Sequence, residues 1–287
     1  MNNLAVFTLP QTMIRFYKNN IKYLTEHSID PDKRRYIDTL EAPRHYLDVE
    51  NYEPNIDSIP IKWEYAVRKY GLEKLNKNGI LPWHIQKTYN YLVYAFKNND
   101  SLKILKHSAD LGHYIADAHV PLHTSANHNG QLSNQTGIHA FWESRLPELF
   151  AGNYNFFVGR AAYIENPLTE AWKIVKHTHG LVDTVLTFEK KLSATFPTDK
   201  KYSFSRRGNI VLKQYAEDYS KAYEKIMDNM VERQMRATIL SIGCFWYSAW
   251  IDAGQPDLRN MKRIETTDNE AKLDQHVENG KIIGREI

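Results

Sequence analysis

The sequence predicts an all-α fold, built as a single multi-helix domain, on three observations. Apolar residues recur at helical spacing along most of the 287 residues. Proline and short polar caps stand where those stretches should start and stop. No stretch offers a convincing strand ladder.

Taken in order, residues 10 to about 27 place Met13, Phe16, Tyr17 and Tyr23 between lysines, which predicts the first long helix. Residues 28–60 read as irregular. Residues 84–97 repeat the helical pattern through Ile85, Tyr89, Leu92 and Phe96. Asn99, Asp100 and Ser101 then offer N-caps for a helix that Pro121 stops, and 123–136 reads as a loop. "NPLTEAWKIVKHTHGLVDTVLTFEKKL" opens on a helix-start signal at Asn166 and Pro167, and residues 209 to about 253 read as two further helices. There is no internal repeat and no low-complexity linker. The expected division is a helical domain over 1–258 and a charged peripheral tail over 259–287.

Composition narrows the function classes. An apolar content of 42% can build a substantial core, and a net charge of +3 lacks the basic excess that would point to duplex nucleic acid. Cys244 is the only cysteine, so an internal disulfide and a multi-cysteine zinc site are both excluded. Any metal must be held by imidazole and carboxylate. Cys244 itself, in "ILSIGCFWYSAW", reads as an inert packing residue. The apolar run at 239–251 is interrupted by serines and glycine and is too short to span a bilayer. The start, "MNNLAVFTLPQ", has no basic segment followed by a sustained apolar run.

Such side chains crowd into residues 111–144, which hold five of the twelve histidines. His113 and Asp117 are four residues apart and share a helix face; His139 and Glu143 repeat the spacing; His123 follows Pro121, where the chain can re-aim it. One such pair is usually a surface hydrogen bond. Two pairs joined by a proline-broken turn favour a nitrogen- and oxygen-ligated metal, for which zinc is suited. A di-iron bundle would need Glu-x-x-His, and a nucleophile-elbow hydrolase Gly-x-Ser-x-Gly; neither occurs. His119 should face away from Asp117, His128 lies in the loop, His177 and His179 cannot share a face, and His84 reads as a helix-start residue.

The ordered pattern in "HYIADAHVPLH" and "GIHAFWES" resembles the zinc-dependent phospholipases C of bacteria, which share their fold with fungal single-strand-specific nucleases. "RHYLD" is similar to that family's His-aromatic-x-Asp element, and "GCFWYSAWIDAG" to its closing helix, so the resemblance covers most of 4–258. It implies that Asp32, His45, His113 and Asp117 hold one zinc, and His123, His139 and Glu143 a second. Asp30 is an equally acidic neighbour of Asp32, with the Pro-Asp context favouring Asp32. Asp48 is a candidate to orient a metal-bound histidine from behind. The family's third zinc bridges through Asp117 to an N-terminal tryptophan and a nearby histidine, yet no tryptophan precedes Trp63 and no histidine precedes His27. About two zinc ions are therefore expected in this chain. A reading frame longer than the chain, with an export signal and a secreted or periplasmic product, is the matching expectation.

The resemblance implies hydrolysis of phosphodiesters, with Asp32 as a metal ligand and catalytic carboxylate. Glu143 stands where the phospholipases have glutamate and the fungal nucleases aspartate, and the lone cysteine excludes those nucleases' disulfides. Both favour a phospholipid substrate, with peripheral membrane contact, over single-stranded nucleic acid. A third reading, a zinc-binding protein without turnover, draws on the missing third-site ligands.

Overall fold

The computed structural model describes residues 1–207 and 210–261, and over these the chain is helical apart from one β-hairpin. Helix α1 (Gln11–Asn19) follows Pro10 and buries Met13, Phe16 and Tyr17, and α2 (Ile21–Glu26) continues it after a break. The single helix expected over 10–27 is interrupted at Asn20, whose side-chain amide donates to Phe16 O at 2.9 Å. A short amide side chain competing for a helix carbonyl is a local reason to end the ladder there.

Residues 28–60 are short helical turns rather than an open loop. They include α3 (Asp30–Arg34), with Pro31 in its first turn, and a turn at Ala42–His45. Helix α4 (Trp63–Asn78) bends at Gly71, which takes φ +75°.

Two helices form the scaffold of the site. Helix α5 (Leu81–Lys97) opens at Leu81 with Pro82 in the first turn, and α6 (Ser101–Ala118) is capped by Asp100, whose carboxylate accepts from Lys103 N at 3.1 Å. They pack together through Leu92 and Phe96 of α5 and Ile104, Leu111 and Ile115 of α6, all fully buried. Helix α7 (Pro167–His179) starts at the predicted cap, Asn166 accepting from Thr169 N at 3.0 Å. Helix α8 (Val182–Thr195) follows.

The hairpin overturns one expectation. Strands β1 (Tyr202–Arg207) and β2 (Ile210–Tyr215) pair antiparallel in the register Tyr202↔Tyr215 to Arg207↔Ile210, where a helix was expected from 209 and no strand ladder anywhere. Aromatic and β-branched residues favour a pleated surface over a helix here, but six residues per strand give too short an alternation to stand out. The two C-terminal helices begin after it, α9 at Glu217–Ile226 and α10 at Met230–Asp252. Of the tail expected over 259–287, all but 259–261 lies outside the described residues.

Buried apolar residues gather in two clusters. The first joins α1, α5, α6, α7 and α10 through residues such as Tyr17, Leu92, Ile115, Trp172 and Trp246. The second joins the 120–146 segment to α8, β2 and α9 through Leu122, Phe141, Trp142, Val185, Tyr219 and Tyr223. The histidines of 111–144 run along the seam between them. No described helix is long and apolar enough to cross a membrane.

Candidate metal centre

Helix α6 presents His113 and Asp117 on one face, one turn apart, and the turn at Ala42–His45 brings His45 against them. His45 Nδ1 lies 2.9 Å from Asp117 Oδ2 and 3.1 Å from His113 Nε2, and His113 Nε2 lies 3.4 Å from Asp117 Oδ2. Asp32, in α3, places Oδ1 3.7 Å from both His45 Nδ1 and His113 Nε2. Asp30 is turned elsewhere, its carboxylate 2.6 Å from His27 Nδ1. Of the two aspartates, Asp32 is the one beside the histidines.

The second group comes from the turn after Pro121 and from the segment 138–145, whose latter part, Phe141–Arg145, is a π-helical turn. His139 Nε2 lies 2.7 Å and His123 Nε2 3.4 Å from Glu143 Oε2. π-turns recur at functional sites, and here one contains Glu143.

These spacings can be set against coordination chemistry. Ligands at zinc's bond lengths in a tetrahedron stand roughly 3.3 Å apart. The donor pairs of the first group range from 2.9 to 3.7 Å, and those of the second to Glu143 are 2.7 and 3.4 Å. Within Asp32, His45 and His113, and within His123, His139 and Glu143, one ligand atom per residue lies within 4.8 Å of the others.

The hydrogen bonds on the far side of the rings agree. His113 Nδ1 donates to Ser28 O at 2.8 Å, His123 Nδ1 to His45 O at 2.6 Å, and His139 Nδ1 to His128 O at 3.1 Å. A carbonyl oxygen only accepts, so each Nδ1 carries a proton and each Nε2 is the nitrogen turned into its group. His45 is reversed. Its Nδ1 faces the group, while its Nε2 lies 3.5 Å from Glu41 Oε1.

Glu41 is a functional candidate that sequence reasoning missed. It is fully buried, and its carboxylate also meets Arg34 Nε at 3.2 Å, Arg44 and the Tyr114 hydroxyl. Burial alone would raise its pKa, but His45, Arg34, Tyr114 and Arg44 hold it well below the usual carboxylate range. The signal was the four-residue spacing from Glu41 to His45. Asp48 is buried; its backbone amide donates to Asn78 O at 2.7 Å, and Tyr52 feels its charge after the larger effect of burial.

Without metal, protons supply the positive charge of these groups: burial pushes His45 down, but Asp117 and Glu41 outweigh it and raise its pKa to about 9, and Asp117 and Glu143 likewise raise His123. Burial pushes Asp117 upward, but His113, His123 and His45 outweigh it and bring its pKa below the ordinary value. Glu143 is likewise held well below the carboxylate range by His123 and His139, against its desolvation. Both are anionic at neutral pH. His45, His123 and His139 are buried and His113 is mostly so, whereas the side chains of Asp32 and Glu143 are 50% and 36% exposed, so each group opens to solvent at a carboxylate.

The remaining histidines fall outside the groups. His119 is buried with Nδ1 on Ile115 O at 2.8 Å, and His128 contributes its backbone carbonyl to His139. His179 Nδ1 lies 3.0 Å from Thr124 O, His177 is exposed, and His84 sits in the first turn of α5.

A family model described as zinc dependent phospholipase C matches residues 1–206. The chain belongs to that family. No curated protein matches the chain. The zinc dependent phospholipase C match spans every residue of both groups, and the all-helical architecture outside the hairpin agrees with it. Membership makes the chain a zinc-dependent, phospholipase C-type protein, and its clusters of histidine and carboxylate are compatible with metal binding.

Proposed function

We propose that the chain is a zinc-dependent phosphodiester hydrolase of phospholipase C type, with residues 1–258 as its catalytic domain and activity outside the cytoplasm. The observation that carries this reading is the pair of histidine–carboxylate groups, each buried on its imidazole side and open at a carboxylate. Asp32, His45, His113 and Asp117 would hold one zinc, and His123, His139 and Glu143 a second. When bound, zinc lowers the pKa of water towards neutrality and neutralises phosphate oxygens.

The side chains supply the rest. Ser28, His45 and His128 carbonyls lock three imidazoles with Nε2 inward, so no ring has to turn during turnover. Asp117 lies between His45 and His113 and lends its charge to His123 as well, which ties the two groups electrostatically. Asp32, half exposed at the rim, would take the proton of the attacking water. Water oxygen then bonds phosphorus, the phosphorus–oxygen bond to the glycerol breaks, and the proton passes to the departing alkoxide. Diacylglycerol and a phosphorylated head group leave.

The test is metal content and turnover on one preparation. Zinc near two per chain and faster release of phosphorylated head group from phosphatidylcholine than cleavage of single-stranded DNA are expected. The reverse preference would move the chain to the nuclease reading. Bound zinc with no turnover on either substrate would make it a binding protein.

A further inference from the structure

The β1–β2 hairpin carries apolar side chains into solvent beside fixed positive charge. Period-two alternation puts Tyr202, Phe204 and Arg206 on one face opposite Tyr215, Lys213 and Val211. At the base, Tyr202 and Tyr215 pack at 5.0 Å, and Tyr215 stacks on Phe141 with ring centroids 3.8 Å apart. Arg145 Nε donates to Tyr215 O at 3.3 Å, which fixes the base to the same 141–145 turn that carries Glu143. Beyond the base the face leaves the core. Phe204 is 71% and Val211 62% exposed, with Arg206 and Lys213 also exposed beside them.

Charge on this stretch is one-sided. Residues 200–215 contain five basic residues and no acid. Lys201 is engaged at the base by Glu189 at 2.8 Å. Lysine and arginine on a free edge are an ordinary device against strand pairing between molecules. That accounts for the charges but not for Phe204 and Val211, whose exposure such a device would avoid. Apolar residues flanked by cations match a bilayer with anionic head groups: the former leave water and the latter meet phosphate.

We propose that the hairpin is a membrane-docking arm, in which Phe204 and Val211 enter the boundary between head groups and acyl chains while Arg206 and Lys213 engage lipid phosphates of an anionic bilayer. This rests on the reading that the substrate is a phospholipid, and it adds how the enzyme reaches that substrate in a bilayer.

The test uses the full chain loaded with zinc, co-sedimented with phosphatidylcholine vesicles with and without phosphatidylglycerol. The parent is compared with Phe204→Ser/Val211→Ser and with Arg206→Ser/Lys213→Ser, each checked for an unchanged melting temperature. Each double variant should lower vesicle partitioning by about tenfold or more. The charge variant's deficit should vanish in high salt. Hydrolysis of a short-chain phosphatidylcholine below its micelle concentration should stay at the parent's rate, while hydrolysis of vesicles falls with binding. Variants that bind vesicles as the parent does would overturn the proposal. So would a parent that cleaves the monomeric lipid without binding vesicles, or a hairpin that binds single-stranded DNA and ignores vesicles. A parent that binds vesicles through the hairpin but never cleaves monomeric lipid would leave the arm standing and remove the phospholipase reading.

Discussion

Three of the four imidazoles, His113, His123 and His139, are held through Nδ1 by a backbone carbonyl, and this decides what their loss should do. His113→Ala should remove the first-group zinc and His139→Ala the second, so each variant should keep about one ion and melt below the parent, because bound metal stabilises the folded state. Zinc analysis and calorimetry check this, and unchanged stoichiometry in both would defeat the metal assignment. Glu41→Gln tests the orienting carboxylate. With its charge gone, His45 should be held less firmly, and zinc affinity should fall about 10- to 100-fold. Arg34 and Arg44 would lose a buried partner, at a cost of about 3 kcal/mol in stability. His84 supplies a pH effect. Burial, then the Arg44 charge, depress its pKa from 6.5 to about 3, so below the unfolded value the unfolded chain takes up a proton that the folded chain refuses. Stability should therefore fall as pH drops from 6.5 towards 3, by about 1 kcal/mol per pH unit from this group. His84→Phe should flatten that part of the melting-temperature profile.

At the scale of elements, α6 does the positioning, and Gly112 shows how closely it is held. A Cβ there would stand 1.9 Å from Asn2 Oδ1, and Asn2 Nδ2 donates to Ala109 O at 3.1 Å. Gly112→Ala should cost about 1–3 kcal/mol by forcing these apart, and should weaken zinc binding through its neighbour His113. Denaturant unfolding and metal titration read the two effects. What could be read from sequence follows from how local each signal is. The caps at Asp100 and Asn166 and the four-residue spacings of His113 with Asp117 and His139 with Glu143 lie within one turn, and the structure has them in place. The choice of Asp32 over Asp30 was less legible, because both lie in one short turn and only the packing of α3 separates them. Glu41 gave only a weak signal, and the carbonyls of Ser28, His45 and His128 gave none, since a backbone oxygen has no sequence signature. The break at Asn20 and the hairpin were missed because a side-chain competitor and twelve strand residues are small departures in a helical chain.

The whole molecule places its two histidine–carboxylate groups across the seam between its two cores: His113 and Asp117 on α6 of the first, and His139 and Glu143 among residues of the second. Removing metal should therefore loosen both halves. Chelator should lower the melting temperature by more than either single-ligand variant does, and zinc added back should restore it; a chelated protein that melts with the parent would count against metal as part of the fold. His123 also makes a clasp with the chain near His45, accepting from Leu47 N at 2.8 Å while its own Nδ1 donates to His45 O. In polymer terms this closes a loop of 78 residues that contains α5 and α6, at an entropic cost of about 4 kcal/mol. A metal held by His45 and Asp117 ties the same loop near its mouth and acts as a reversible cross-link. Without it the loop can open at the mouth while its helices persist, so on chelation the Leu47 amide should exchange with solvent hydrogen well before the amides in the middle of α6.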